Sequence, residues 1–350
     1  MRFPKYVWQP TSEEIARDAG LDPDQVERFD HNTSPVPTDW AAEVVLRRSS
    51  RLNEYPAASY VDLRQAVAVN TGLDPDSVIP GAGADELILL AARAFLAPGR
   101  NAVMADPTYP MYRIATAQVR GCAVSIDARP PDFGFPVDEV IAAARDAEIV
   151  WLCVPSNPIG NRATDEAVAA VIAATDGVVV LDAAYAQFSE DDWAPWVDRH
   201  HNLLVLHTMS KAYGLAGARV GYGLGHPDLI AAIDGVRPPG SLSTLSVDLA
   251  VAALEAPDRM RSVVDTAIEE RARLAAGLQE LGLRVMPSST NFLLCEVGPR
   301  ARTVADGLMK EGLVTRTFPA DGPLASYLRF TVRTPGAHDR LFSALQRRLS

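Results

Sequence analysis

Between about Tyr55 and Gly225 the chain alternates two hydrophobic patterns. Short, Val-rich apolar runs fall at 102–105, 123–126, 149–154, 178–181, 203–206 and 219–223, and near-continuous runs of this length read as strands covered on both faces. Between several of them, Val137–Ala144 and 165–174 repeat apolar residues at helical spacing, the second opened by Thr164, whose hydroxyl suits an N-cap. The alternation predicts an α/β fold with a mainly parallel sheet between helices.

Past "RPPGS" (237–241) the pattern changes to longer helices, 246–255 and 259–281, then strand-like "NFLLCEV" and "YLRFTV" and a last helix near 338–349. This predicts a smaller α+β domain. The first forty residues carry Pro4, Pro10, Pro23, Pro35 and Pro37, which disfavour regular structure and predict an arm packed on the rest of the chain. The expected division is an N-terminal arm at 1–38, a large domain at 39–240 and a small C-terminal domain at 241–350.

Composition narrows the function. A chain of 350 residues has room for about two domains and a substantial core, and 48% hydrophobic with 22% charged residues excludes a largely disordered chain. The net charge of −11 argues against nucleic-acid binding, which needs a concentrated basic surface. The N-terminal twenty residues have no signal-type apolar core, and the greasiest stretch, "LILLAARAFLAPG", is short and broken by Arg93, so a cytoplasmic protein without membrane contact is expected. Cys122, Cys153 and Cys295 sit in apolar runs without metal-type spacing to the six histidines, and His200 and His201 are adjacent, so buried free thiols and no metal are expected.

In open α/β sheets ligands gather beyond the carboxyl ends of the strands. Asn157, Asp182, Ser210 and Lys211 all follow strand-like runs. Lys211 stands out because only three of the 33 basic residues are lysine, with Lys5 and Lys310, so the position resists a strong preference for arginine. A lysine amine shifts its pKa readily and, once neutral, forms an imine with an aldehyde; arginine does neither.

An imine-forming lysine suggests pyridoxal 5'-phosphate, which needs an acid by its ring nitrogen, a phosphate cradle and a stacking surface. Asp182 is the candidate acid. "GAGADELI" (81–88) is a glycine turn opening a helix whose N-terminus suits a phosphate, and Arg219, expected at the start of the next strand, could add a bidentate contact. Tyr109 in "DPTYPMY" could stack on the ring. The chain has neither a G-x-G-x-x-G nor a G-x-x-x-x-G-K-[ST] motif, which removes the main support for nicotinamide or nucleoside-triphosphate chemistry.

Taken in order, "YPAASYVDLRQAVA", "PGAGADELILLAARAFLAPG", "DPTYPMY", "SNPIGN", "LDAAY", "TMSKAYGLAGARVGY", "LVTRTF" and "YLRFTV" resemble the aspartate-aminotransferase-like, fold-type I pyridoxal-phosphate enzymes, within them the histidinol-phosphate aminotransferase branch. The resemblance runs from about Phe29 to the C-terminus. It implies that Lys211 binds the cofactor covalently, Asp182 faces the ring nitrogen, and Asn157 and Tyr185 face the phenolic oxygen. It further implies that Ala84, Asp85, Thr208, Ser210 and Arg219 hold the phosphate, that Tyr109 stacks on the ring, and that Tyr55 reaches the phosphate of a neighbouring subunit in a homodimer with shared active sites. Arg329 and Arg316 match the arginines that grip the substrate's anionic group, and Asn32 a further substrate contact. In a strand, Leu328, Phe330 and Val332 share one face and Arg329, Thr331 and Arg333 the other.

The chain departs from the family pattern at "HNTSP", where a customary acidic residue is Thr33, at "DAAY", where Ala183 replaces an acid, and at Arg333, where glycine is common. Arg333 either adds to the pocket's preference for anions or is a solvated surface group. The expected reaction moves an amino group between a small-molecule donor, with L-histidinol phosphate the best match, and a 2-oxo acid such as 2-oxoglutarate. The alternatives are an aromatic or other L-amino-acid aminotransferase and a decarboxylase of the threonine-phosphate type. A pyridoxal-binding regulator is disfavoured, since only about thirty residues precede the resemblance and a DNA-binding module needs more.

Overall fold

The computed structural model describes residues 4–349; the first three positions of the expected arm and the last of the expected small domain lie outside the described residues. A short strand, β1 (Glu27–Phe29), lies apart from the large sheet. That sheet comprises β2 (Val78–Gly81), β3 (Asn101–Asp106), β4 (Cys122–Asp127), β5 (Ala147–Cys153), β6 (Val178–Asp182), β7 (Leu203–Thr208) and β8 (Gly221–Gly225). Its spatial order is β2-β8-β7-β6-β5-β3-β4, and only β8 runs against the others.

The apolar runs are continuous because the sheet is covered on both faces. Val103, Val150, Leu152, Val179, Leu181, Leu203 and Val205 enter one buried cluster. Their alternating neighbours Ala102, Met104, Ile149, Trp151, Val180, Leu204 and Leu206 enter another.

Smaller sheets complete the fold. Strands β9 (Arg284–Val285), β10 (Phe292–Glu296) and β12 (Tyr327–Thr331) form an antiparallel sheet ordered β12-β10-β9, while β11 (Leu313–Thr315) pairs in parallel with β1. Leu328, Phe330 and Val332 turn into a core with Phe29, Leu274, Leu278 and Leu341, as the alternation along β12 requires. The helix Thr244–Leu254 follows residue 240, yet it buries Val247, Leu249 and Leu254 in a cluster of the large sheet and carries Asp248, the ion-pair partner of Arg48. The packing therefore changes beyond 240/241, toward the long helix Pro257–Glu280.

Two expectations need correction. The run at 219–223 begins its strand only at Gly221, and Arg219 sits before it in the left-handed region at φ 49°. Of the cysteines, Cys295 is buried, Cys153 is half-buried and Cys122 is exposed, because Cys122 starts the edge strand β4, which has a neighbour on one side only. Among the described residues no helix is long and apolar enough to cross a membrane, and no group of three or more His, Cys, Asp or Glu could hold a metal ion.

Candidate active site

The parallel strands β5, β6 and β7 deliver their carboxyl ends to one place. Asp182 closes β6, with Cys153 of β5 and Leu206 of β7 as its register neighbours. It is buried, with Oδ1 accepting from the Ala184 N–H at 3.1 Å and Oδ2 from the Tyr112 hydroxyl at 2.6 Å. Burial pushes its carboxyl up to about 6, while those two hydrogen bonds pull the other way.

Lys211 lies in the turn after β7, half-buried, its Nζ donating to the His31 carbonyl at 3.2 Å. Burial, and next the Arg329 charge, bring its amine down to about 8 from an ordinary 10.5. At neutral pH this amine is therefore far easier to deprotonate than a surface lysine.

A second group converges from other elements. The Tyr185 hydroxyl accepts from Asn32 Nδ2 at 2.9 Å and from Asn157 Nδ2 at 3.3 Å. Asn157 Oδ1 in turn accepts from Arg329 Nη1 at 2.6 Å, and the Asp30 carbonyl accepts from Nη2 at 2.7 Å. Arg329 is only 7% exposed, lies over the Phe292 ring at 4.9 Å, and has a buried Nε with no protein partner. Burial and the nearby Arg316 charge lower its pKa to about 10, so it stays cationic at neutral pH. Arg316 pairs its backbone with that of Arg329, at 3.1 Å for each bond.

The third group is an anion cradle. Helix Gly83–Phe95 starts directly after β2 without a side-chain cap, leaving first-turn N–H groups free for an anion. Gly83 is needed there: its φ is +79°, and a Cβ would come within 2.8 Å of Arg219 Nη2. Ser210 Oγ accepts from Thr208 Oγ1 at 3.0 Å and from Arg219 Nη1 at 3.4 Å. The Asp85 carboxylate accepts from Tyr109 Oη at 2.8 Å and from Arg219 Nη2 at 3.2 Å, so it orients both groups. Hydroxyls, open N–H groups and a guanidinium make a donor set that fits a phosphate monoester.

The structure thus gathers Lys211, Asp182, Asn157, Tyr185, Asn32 and Arg329 on one side and Ala84, Asp85, Tyr109, Thr208, Ser210 and Arg219 on the other. Tyr55 is not among them: it is 93% exposed and has no hydrogen-bond partner among the described residues. Arg333 is not a solvated group. Its side chain is largely buried, with Nη1 donating to the Ser34 carbonyl at 3.4 Å and Nε 3.6 Å from Glu27, which balances its charge.

Two features escape the sequence reading. Tyr112 lies three residues beyond Tyr109 in the quoted "DPTYPMY", and its target, Asp182, is 70 residues away in sequence. The Arg28–Asp30 pair is the other: Asp30 is buried in a two-pronged pair with Arg28, at 2.9 and 2.8 Å, while the carbonyls of Asp30 and His31 accept from Arg329 and Lys211.

Comparison with known proteins agrees with this geometry. The family described as aminotransferase class I and II matches residues 26–345. A histidinol-phosphate aminotransferase 2 of Ralstonia nicotianae is 33% identical over 356 residues, covering 99% of this chain and 94% of the relative. The histidinol-phosphate aminotransferase of Methanopyrus kandleri is 35% identical, covering 89% and 85%. Among solved structures, histidinol-phosphate aminotransferase from Sinorhizobium meliloti in complex with pyridoxal-5'-phosphate superposes with a TM-score of 0.89 at 28% identity, covering 98% and 95%. With its fold, its lysine at the end of the parallel strands and a family match over most of its length, the chain belongs to the class I and II aminotransferases.

Proposed function

We propose that this aminotransferase moves an amino group between L-histidinol phosphate and 2-oxoglutarate, using pyridoxal phosphate held by Lys211. The observation that carries the reading is the convergence, beyond the carboxyl ends of β6 and β7, of an amine brought down to about 8, a buried carboxylate and an uncapped helix N-terminus beside Arg219. The substrate follows from the relatives, named histidinol-phosphate aminotransferases, and from Arg329, whose guanidinium suits both a phosphate and a carboxylate.

Pyridoxal phosphate held by these residues would supply a carbonyl that condenses with amines and a ring that accepts electrons. Asp182 faces the ring nitrogen and keeps it protonated. Tyr185 and Asn157 would hold the phenolic oxygen, and Tyr109 would stack on the ring. The N–H groups of Ala84 and Asp85, the hydroxyls of Thr208 and Ser210, and Arg219 hold the phosphate. Lys211 would hold the aldehyde carbon covalently and, as a free amine, would carry the proton from the substrate's α-carbon to the cofactor carbon on the other side of the shared nitrogen. Arg329, helped by Arg316 and Asn32, fixes the anionic group of each substrate in turn.

A homodimer working in the cytoplasm completes the proposal. Tyr55 belongs to a run of exposed apolar side chains that includes Leu46, Leu52 and Val61, a surface suited to a second copy whose phosphate Tyr55 would reach. The three free cysteines fit a reducing compartment.

Two results are expected. Condensation of the apo protein with pyridoxal phosphate accelerates as pH rises through about 8, where half of the Lys211 amine is deprotonated, and levels off roughly a pH unit above that; stopped-flow absorbance follows it. An unshifted lysine would keep accelerating toward 10.5. Arg329→Gln raises KM for both substrates by about ten- to hundred-fold, the worth of one or two charge-assisted hydrogen bonds, with cofactor binding intact in an absorbance titration. Steady-state kinetics with histidinol phosphate, aromatic amino acids and phosphothreonine, each with and without 2-oxoglutarate, tests the assignment. Preference for another amine, or carbon dioxide release without an acceptor, contradicts it.

A further inference from the structure

We propose that Tyr112 is a positioning residue for the proton on the cofactor's ring nitrogen: its hydroxyl holds Asp182 as a carboxylate and so keeps that proton on the ring rather than on the acid. The inference rests on the placement of Asp182 against the ring given above.

The Tyr112 phenol has one orientation. Its side chain is 1% exposed and stacks nearly parallel on Trp151, with centroids 5.4 Å apart and planes at 8°. Trp151 is fixed in turn by its Nε1–H donating to Thr116 Oγ1 at 3.3 Å. Tyr112 and Thr116 are four apart on helix Pro110–Gln118, so one helix face grips the indole and aims the phenol. Tyr109, expected over the cofactor ring, meets Tyr112 edge-on at 5.8 Å. The hydroxyl then donates to Asp182 Oδ2 at 2.6 Å, the shorter of the two hydrogen bonds on that carboxylate.

A buried carboxylate facing a pyridinium shares one proton with it, and the proton resides on whichever partner is more basic. Burial alone makes Asp182 more basic, so each donated hydrogen bond is needed to hold the charge on the acid. Cys153 also lies beside this pair, within hydrogen-bonding reach of Tyr112, but burial pushes its thiol up to about 12 and its Sγ–H donates to the Pro155 carbonyl at 3.4 Å. It does not replace the phenol. Loss of the Tyr112 hydroxyl therefore moves one proton from ring nitrogen to Asp182 Oδ2, with no other bond changed, and weakens the ring as an electron acceptor.

The test is nitrogen NMR on holoenzyme loaded with pyridoxal phosphate labelled with 15N in the ring, comparing the unaltered protein with Tyr112→Phe. The unaltered protein is expected to show a pyridinium signal. Tyr112→Phe is expected to bind the cofactor, shift the signal toward unprotonated pyridine, and lose about ten-fold in kcat with little change in KM. Tyr112→Leu, which also lacks the donor, serves should the phenylalanine variant not fold. Coincident signals in unaltered and variant protein overturn the inference, as does an unprotonated ring in the unaltered protein. Failure of the unaltered protein to take up any labelled cofactor instead overturns the functional reading beneath it.

Discussion

Lys211→Ala is expected to lower turnover by at least about a thousand-fold, since both the covalent anchor and the proton carrier at the reacting carbon are lost. The substitution removes a half-buried side chain whose recorded contact is one hydrogen bond to the His31 carbonyl, so the fold should persist. Cofactor still binds, more weakly, through the Thr208, Ser210 and Arg219 cradle, and its absorbance becomes that of the free aldehyde. Lys211→Arg should fail equally although it keeps the charge, because a guanidinium does not deprotonate in a protein and forms no imine. Small added amines should restore part of the rate in the alanine variant by doing the proton transfer, which steady-state kinetics would read directly. Full activity in either variant would place the chemistry on another group.

Asp182→Asn is expected to cost about two to four orders of magnitude in kcat while leaving the fold and cofactor content nearly unchanged. The asparagine amide can still accept from the Tyr112 hydroxyl or the Ala184 N–H, so the packing survives. What it cannot supply is negative charge opposite the ring nitrogen. The loss should appear in single-turnover rates with saturating amino donor, and thermal melting should show a protein of about the same stability. An unimpaired rate would remove Asp182 from its assigned place, and with it the argument for Tyr112.

The parts of the molecule legible in its sequence are those written locally. Strands β3, β5, β6 and β7 are continuous apolar runs because both faces are covered, and that signature lies within five to seven residues. Lys211 was visible against an arginine background, and Asp182 and Asn157 through their place after strands. Strand β2, "VIPG", was not, because Pro80 and Gly81 read as a turn and its pairing with β8 is what makes it a strand. Strands β1 and β11 are three residues each and exist through one another, with Glu27 set against Leu313. The Arg28–Asp30 pair and the Tyr112 hydrogen bond are invisible for a related reason: a short charged pair reads as surface, and an aromatic at helical spacing reads as core. Tyr112 is core by packing and meets Asp182 through one oxygen atom.

Every catalytic role proposed for these residues depends on a covalent bond between Lys211 and the cofactor aldehyde. The measurement that tests it most directly is mass spectrometry of peptides after the holoenzyme is reduced with borohydride. The predicted result is a phosphopyridoxyl mass on the peptide spanning "TMSKAYGLAGAR", localised to Lys211. A modification found only on Lys5 or Lys310, or none on a protein that has bound the vitamer and turns over substrate, would contradict it.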